Sequence, residues 1–431
     1  MIMALIMKKI SISLLAAASV VLLSVAVLAQ GPLPQPKQEK LLNGLKVLMW
    51  PMPKADSVTV TVRVHSGTSF DPQGKEGVMR LLAENIFPEQ AARDFFAEDL
   101  GGGLSIESNY DFIEIIATAK PEHFLTMLET LSAAIANPTI DRPTTAKLKA
   151  ALIEELKLIE NDPAYIADNA VAARLFGTFP YGRPKFGSTA SVAKIDFADL
   201  LDAKQRFLTA DNATVAVSGN FDRVLGFRAM RRYFGAWLKS DKRVPSTFRQ
   251  PDPPPAAVLS IPSPKAGAHA VRFAIRGSAR GDKQYAASRI YALILDARMK
   301  ARVPAEHSAD VFVRSESHIL PGMIILGFDG QRNESPNANG KVEANELVAK
   351  VLSDPITEAE FQTARSLFRE AWSKRSVTGL FLDSDTFKTA SPETDAAAAD
   401  TVTIDDVRNF AAAAAKQPIA AVLLNSQAPA N

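Results

Sequence analysis

A Pro-Lys-Ala triplet, an alternating apolar run and a glycine recur in that order twice along this chain, and the duplication constrains the fold more than any other feature. Pro53-Lys54-Ala55 precedes VTVTVRV (Val58–Val64) and ends at Gly67; Pro264-Lys265-Ala266 precedes VRFAI (Val271–Ile275) and ends at Gly277. Apolar and polar residues alternating with period two mark half-buried strands. Pro138 leads into a helix at Ala146-Lys147, and Pro355 into one at Ala364-Arg365. Each half then closes on a strand-like run, Thr214–Gly219 and Ala420–Leu424. The offsets are 211, 217 and about 206 residues, far beyond the ~20–50 residues of a solenoid repeat. Two domains of similar fold are therefore expected.

Between the halves runs Arg249-Gln-Pro-Asp-Pro-Pro-Pro255, which cannot join a central sheet and stiffens into a spacer. The expected organisation is a leader over 1–29, a spacer over 30–39, an N-terminal domain over 40–238, a linker over 239–257 and a C-terminal domain over 258–428. Strands accompany long amphipathic helices in both halves, so the class is α+β. Thr357 with Glu360 is a capping box before a helix whose Phe361, Ala364, Phe368 and Trp372 share a side, and Thr403 with Asp406 opens Val407–Lys416 similarly. Both stripes read as core.

The 431 residues are 47% hydrophobic, enough for more than one core, and carry a net charge of +2. That balance gives no nucleic-acid footprint. With no cysteine at all, disulfides, thiolate metal sites and thiol nucleophiles are excluded. Lys8 and Lys9 precede the apolar or small run Ile10–Ala29, and Val27-Leu28-Ala29 resembles a signal-peptidase site that leaves Gln30 as the new terminus. Met7 makes a more typical bacterial start than Met1. An uncleaved anchor is the competing reading, because about 20 such residues can span a bilayer. Either way, export to a bacterial periplasm is expected.

Several stretches together resemble the insulinase, or pitrilysin, family of zinc peptidases. LNGLKVLMWP (Leu42–Pro51), VRVHSGTSFDP, the long segment Asp99–Asp141, ENDPAY, FPYGRPKFGS (Phe179–Ser188) and ATVAVSGNFD stand in the family's order and spacing over nearly all of 40–428. The resemblance implies two α+β domains forming half of a four-domain clamshell.

Within it, GVMRLLAENIF (Gly77–Phe87) aligns with a family stretch like G-L-A-H-F-L-E-H-M-L-F, which carries the H-x-x-E-H zinc motif. Arg80 stands at the first ligand, Ala83 at the catalytic base and Glu84 at the second ligand. The third ligand of the family, a glutamate eight residues before a proline, corresponds to Glu155. One turn of helix separates 80 from 84, so Arg80 is placed to bridge Glu84, Glu155 or both in place of a metal; a solvated helix face is the bland reading. A guanidinium stays protonated and repels cations. No zinc, other metal or cofactor is therefore expected, the alternative being a hard cation held by Glu84 and Glu155. His65, His123, His269, His307 and His318 show no ligand spacing and read as surface or turn residues.

The resemblance implies two possible substrate contacts. Gly101-Gly102-Gly103 leads through Leu104 and Ser105 into a strand that in the family takes extended peptides onto a sheet edge, a mode that needs only exposed backbone. A Gly-rich turn is the alternative. In ARMKARVPAEHSADV, Lys300 and His307 fall where zinc-free subunits of heterodimeric relatives carry a substrate-holding Arg and Tyr; two ordinary surface residues are the other reading. The expectation is an inactive homologue that partners a zinc-bearing subunit as a heterodimer. A homodimer, or a stand-alone peptide-binding or structural subunit of an envelope complex, is the alternative.

Overall fold

The computed structural model describes residues 33–240, 249–252, 254, 257–265, 268–331 and 338–426, with side chains undescribed at 331–344 and 425–426. The expected leader over 1–29, the start of the expected spacer and parts of the proline-rich linker lie outside the described residues, while the spacer's end, from Lys37, pairs as a strand with Lys46–Met49 instead.

Eleven strands form two sheets among those residues. Sheet A holds β1 (Lys37–Lys40), β2 (Lys46–Pro51), β3 (Val58–Val64), β4 (Gly103–Ser108), β5 (Ile113–Ala119) and β6 (Ala213–Gly219) in the order β1-β2-β6-β3-β5-β4. Sheet B holds β7 (Val258–Ser263), β8 (Ala268–Arg276), β9 (Val311–Glu316), β10 (Met323–Gln331) and β11 (Ala420–Ser426) in the order β7-β11-β8-β10-β9. With β1 set aside, the orders match strand for strand. The parallel pair matches too, β2 with β6 and β7 with β11, while every other pair is antiparallel. The duplication in the sequence is a duplication of topology.

Alternation decides what each face meets. Val58, Val60, Val62 and Val64 of β3 point into a core with Met79 and Leu82 of α1 (Val78–Glu84), Leu128 of α2 (Phe124–Ala136) and Leu152 of α3 (Arg142–Ile159). Each such side chain removed from water contributes about 1.5–3 kcal/mol. Helices α5 (Phe197–Phe207) and α6 (Arg223–Phe234) complete the first repeat, and α8 (Ala338–Ser353) belongs to the second. In sheet B, Phe273 and Ile275 of β8 likewise face Leu295 of α7 (Tyr285–Lys300) and Phe361 and Phe368 of α9 (Glu358–Ser373). The capping boxes at Thr357 and Thr403 are both formed, the latter opening α11 (Ile404–Ala414).

The opposite faces are covered by exchange. Helix α4 (Pro163–Phe176), from the first repeat, lies on sheet B, where Val171, Leu175 and Phe176 cluster with Ala274, Ile325 and Val422. Helix α10 (Val377–Phe387), from the second repeat, lies on sheet A, with Phe381 and Leu382 against Leu48, Trp50 and Ala216. The Trp50 and Phe381 rings meet edge-on at 5.3 Å.

An ion pair pins each exchanged helix at the middle of the foreign sheet. Asp168 of α4 meets the fully buried Arg272 of β8 at 2.5 Å. Asp383 of α10 meets the buried Arg63 of β3 at 2.7 Å. Each aspartate lies about two turns in from its helix's N-cap, Asp162 or Ser376. From Pro36 onward the chain is one compact unit.

Candidate functional site

Helix α1 carries Arg80, Ala83 and Glu84, the residues that the family resemblance sets against the zinc motif. It starts at Gly77, whose φ of 112° suits glycine. Its first amides, Gly77 and Met79, donate to the buried Asp71 carboxylate at 2.7 Å each. Burial pushes the Asp71 carboxyl up to about 7, against those two hydrogen bonds and the nearby Arg183 guanidinium. The helix is therefore anchored from within, and one face is turned toward α3.

On that face Arg80 Nε bonds Glu84 Oε1 at 2.5 Å, and Nη2 bonds Glu155 Oε2 of α3 at 3.0 Å. The guanidinium also lies 4.9 Å from the centre of the Phe186 ring. Arg80, Glu84 and Glu155 thus come together as a clip between α1 and α3. With side chains 20%, 27% and 51% exposed, such contacts are worth a few tenths of a kcal/mol each after solvent screening. Ala83 turns inward, 2% exposed, into the core.

These residues do not fit a zinc ion. A catalytic zinc takes three N, S or O donors and keeps one open position; here the two carboxylates are held by the permanent cation of Arg80. Among the described residues no group of three or more His, Cys, Asp or Glu is arranged to hold a metal ion.

Beside the clip runs a groove of about 640 Å³ between α1, α3 and β4, with Arg80, Glu84, Ile106, Ser108, Lys185 and Phe186 among its walls. Strand β4 is the edge of sheet A, paired only with β5. The amide of Asn109 donates to Phe112, which sets the phase of the antiparallel ladder. Gly103, Ser105 and Glu107 therefore bond β5, and Leu104, Ile106 and Ser108 turn amide and carbonyl outward. Arg93 Nη1 already donates to the Leu104 carbonyl at 3.2 Å. The outward backbone of Ile106 and Ser108 meets no protein partner among the described residues, and the buried Ser108 hydroxyl has none either.

The glycines next to this edge serve the chain itself. Gly101 takes φ +65°, and a Cβ on Gly102 would lie 1.8 Å from the Thr118 carbonyl oxygen; Gly103 faces open space. Lys300 and His307 are not among the groove's walls. Lys300 ends α7 in an i,i+4 pair with Asp296 at 2.8 Å, and His307 bonds Asp310 at 2.9 Å, both exposed.

Two histidines depart from the surface reading, and both join the repeats. His65 bonds Thr214 and, from α10, Thr386, each at 3.0 Å. Burial holds its ring at about 3, despite the nearby Asp385 carboxylate. His318 bonds the buried Asp111 at 2.9 Å and stacks on Tyr181. Single histidines in strand and loop segments carry no sequence signal for such cross-repeat partners. Lys185 and Asp71 carry no such signal either, although both lie inside stretches that carry the family resemblance.

The two-sheet fold and the altered helix define a half-clamshell of the zinc-peptidase type. Residues 46–189 match the family model described as insulinase (peptidase family M16), and residues 194–368 match that of the peptidase M16 inactive domain. This chain belongs to the insulinase family.

An uncharacterized zinc protease of Rickettsia felis is 22% identical over 210 residues, 47% of this chain and 50% of its own length. The chain thus spans about half the length of the curated relatives it matches. A protease from Helicobacter pylori superposes with a TM-score of 0.80 at 16% identity, covering 91% of this chain and all of its own. The periplasmic protease PqqL of Escherichia coli matches at TM-score 0.69 and 14% identity, over 93% of this chain and 50% of that one. At these identities the structural likenesses carry the fold alone.

Proposed function

We propose that this chain is a catalytically inactive insulinase-family half that is exported to the periplasm and completes the peptide-binding chamber of a zinc-bearing homologue. The observation that carries the reading is the Arg80 clip, with its cation held between Glu84 and Glu155 where the family places metal. With Ala83 at the position of the base, no side chain is left there to activate water. The open edge of β4 and its groove remain suited to extended peptides, since main-chain pairing outlives loss of the catalytic groups. The half-length match to a periplasmic protease supports a second half that closes the cavity.

The test is a pull-down of the tagged full chain from its native periplasm, with the eluate assayed for zinc and peptide cleavage. A co-eluting zinc-bearing homologue, more active than when alone, is the expected result. A homodimer, or a complex with unrelated envelope proteins, would overturn it in favour of a stand-alone binding or structural role.

A further inference from the structure

Four cationic side chains line the groove beside β4: Arg80, Arg93, Lys147 and Lys185. Three are already engaged. Arg80 holds Glu84 and Glu155, Arg93 donates to the Leu104 carbonyl, and Lys147 pairs with Glu89 at 2.6 Å. Lys185 makes no hydrogen bond or ion pair among the described residues, and its ammonium rests 4.5 Å from the centre of the Phe186 ring. Burial pulls its pKa down, against the attraction of Glu316 and Glu107, neither of which closes to an ion pair. A half-buried ammonium with no carboxylate in direct contact is destabilised, and a carboxylate brought to it reduces that penalty. The same groove offers the outward amides and carbonyls of Ile106 and Ser108 and the buried, partnerless Ser108 hydroxyl.

We infer that the groove selects extended peptides carrying an acidic side chain, with β4 taking the peptide backbone and Lys185 receiving the carboxylate. This rests on the reading that β4 captures peptides and adds the class of peptide captured. The cation does not act alone: backbone pairing to β4 fixes the register, and the charge contact then discriminates at one position. Because Lys185 gains a counter-ion, binding of the acidic peptide draws its pKa back up.

The test uses the full chain and two fluorescent peptides, capped at both ends, identical except for Glu or Gln at one central position. Anisotropy at low salt is expected to give the Glu peptide an affinity about tenfold tighter. Lys185→Met should abolish the preference, so that the variant binds the Glu and Gln peptides equally, while Lys185→Arg keeps it. Equal affinities in the parent chain, or a preference that survives Lys185→Met, overturn the inference while leaving peptide capture standing. A Gln peptide that gains as much from an uncapped C-terminal carboxylate as the Glu peptide gains from its side chain also overturns it. If neither peptide binds, or if N-methylation of the peptide backbone leaves binding unchanged, capture on β4 itself fails.

Discussion

Asp383 is the carboxylate whose removal most directly tests how the two repeats are joined. Its side chain, 6% exposed, bonds Arg63 of the first repeat at 2.7 Å and also meets Arg280 and Arg375 of its own repeat. Burial works against the charged form, but Arg375, Arg63 and Arg280 together hold the carboxyl below its ordinary range. Asp383→Ala leaves two buried guanidiniums short of a partner, although Arg63 keeps Glu114 and Arg280 keeps Asp395, both at 2.5 Å. Breaking a buried pair costs about 3–5 kcal/mol, and the surviving carboxylates place this loss near the lower end, about 3 kcal/mol.

The assay is urea unfolding followed in parallel by far-UV circular dichroism and by tryptophan fluorescence, with Trp50 and Trp237 in the first repeat and Trp372 in the second. The midpoint should fall, and the two signals should still coincide, because α4 and α10 tie each sheet to the other repeat. A loss under about 1 kcal/mol, or separate transitions for the two repeats, would refute the argument that this exchange holds them together.

Three further outcomes follow from the site and its supports. His65 is held at about 3 against an ordinary ~6.5, so its contribution to stability is full above pH ~6.5 and is lost as pH falls toward 3; acid titration of the urea midpoint should show a slope of up to ~1.4 kcal/mol per pH unit that His65→Asn flattens. Gly102→Ala puts a methyl 1.8 Å from the Thr118 carbonyl oxygen; displaced backbone there should cost ~2 kcal/mol or more in thermal unfolding and weaken peptide capture by β4. The triple change Arg80→His, Ala83→Glu and Glu84→His should take up about one zinc per chain with Glu155, read by elemental analysis; a folded, zinc-free variant would show that Glu155 does not stand where a third ligand must.

Much of the architecture could be read from periodicity, because strands and helices announce the faces they bury. Val58–Val64 forms β3 for that reason, and the continuous apolar run Ala420–Leu424 lies within β11. The contact of Arg80 with Glu84 follows from helical spacing, while the tie to Glu155 depends on a segment 75 residues away that only the family likeness brought near. The exchange of α4 and α10 was not legible. An apolar helix face says that it is buried, not which sheet buries it. Its trace lies in four charged residues within or beside apolar runs, Asp168, Asp383, Arg63 and Arg272, whose sequence positions do not say that each also pairs with the other repeat. Lys185 was unreadable for a related reason, since what singles it out is a missing partner.

The exchanged helices also bear on how such a chain could arise and how it could be taken apart. Each repeat leaves one sheet face bare and donates the helix that covers the other's, which is the arrangement of a domain-swapped dimer fused end to end. A single ancestral copy could have satisfied itself by pairing with its twin, with fusion later freeing the two copies to diverge. By the same logic, the chain severed within 239–257 should yield fragments that are insoluble when expressed singly and that reassemble when expressed together.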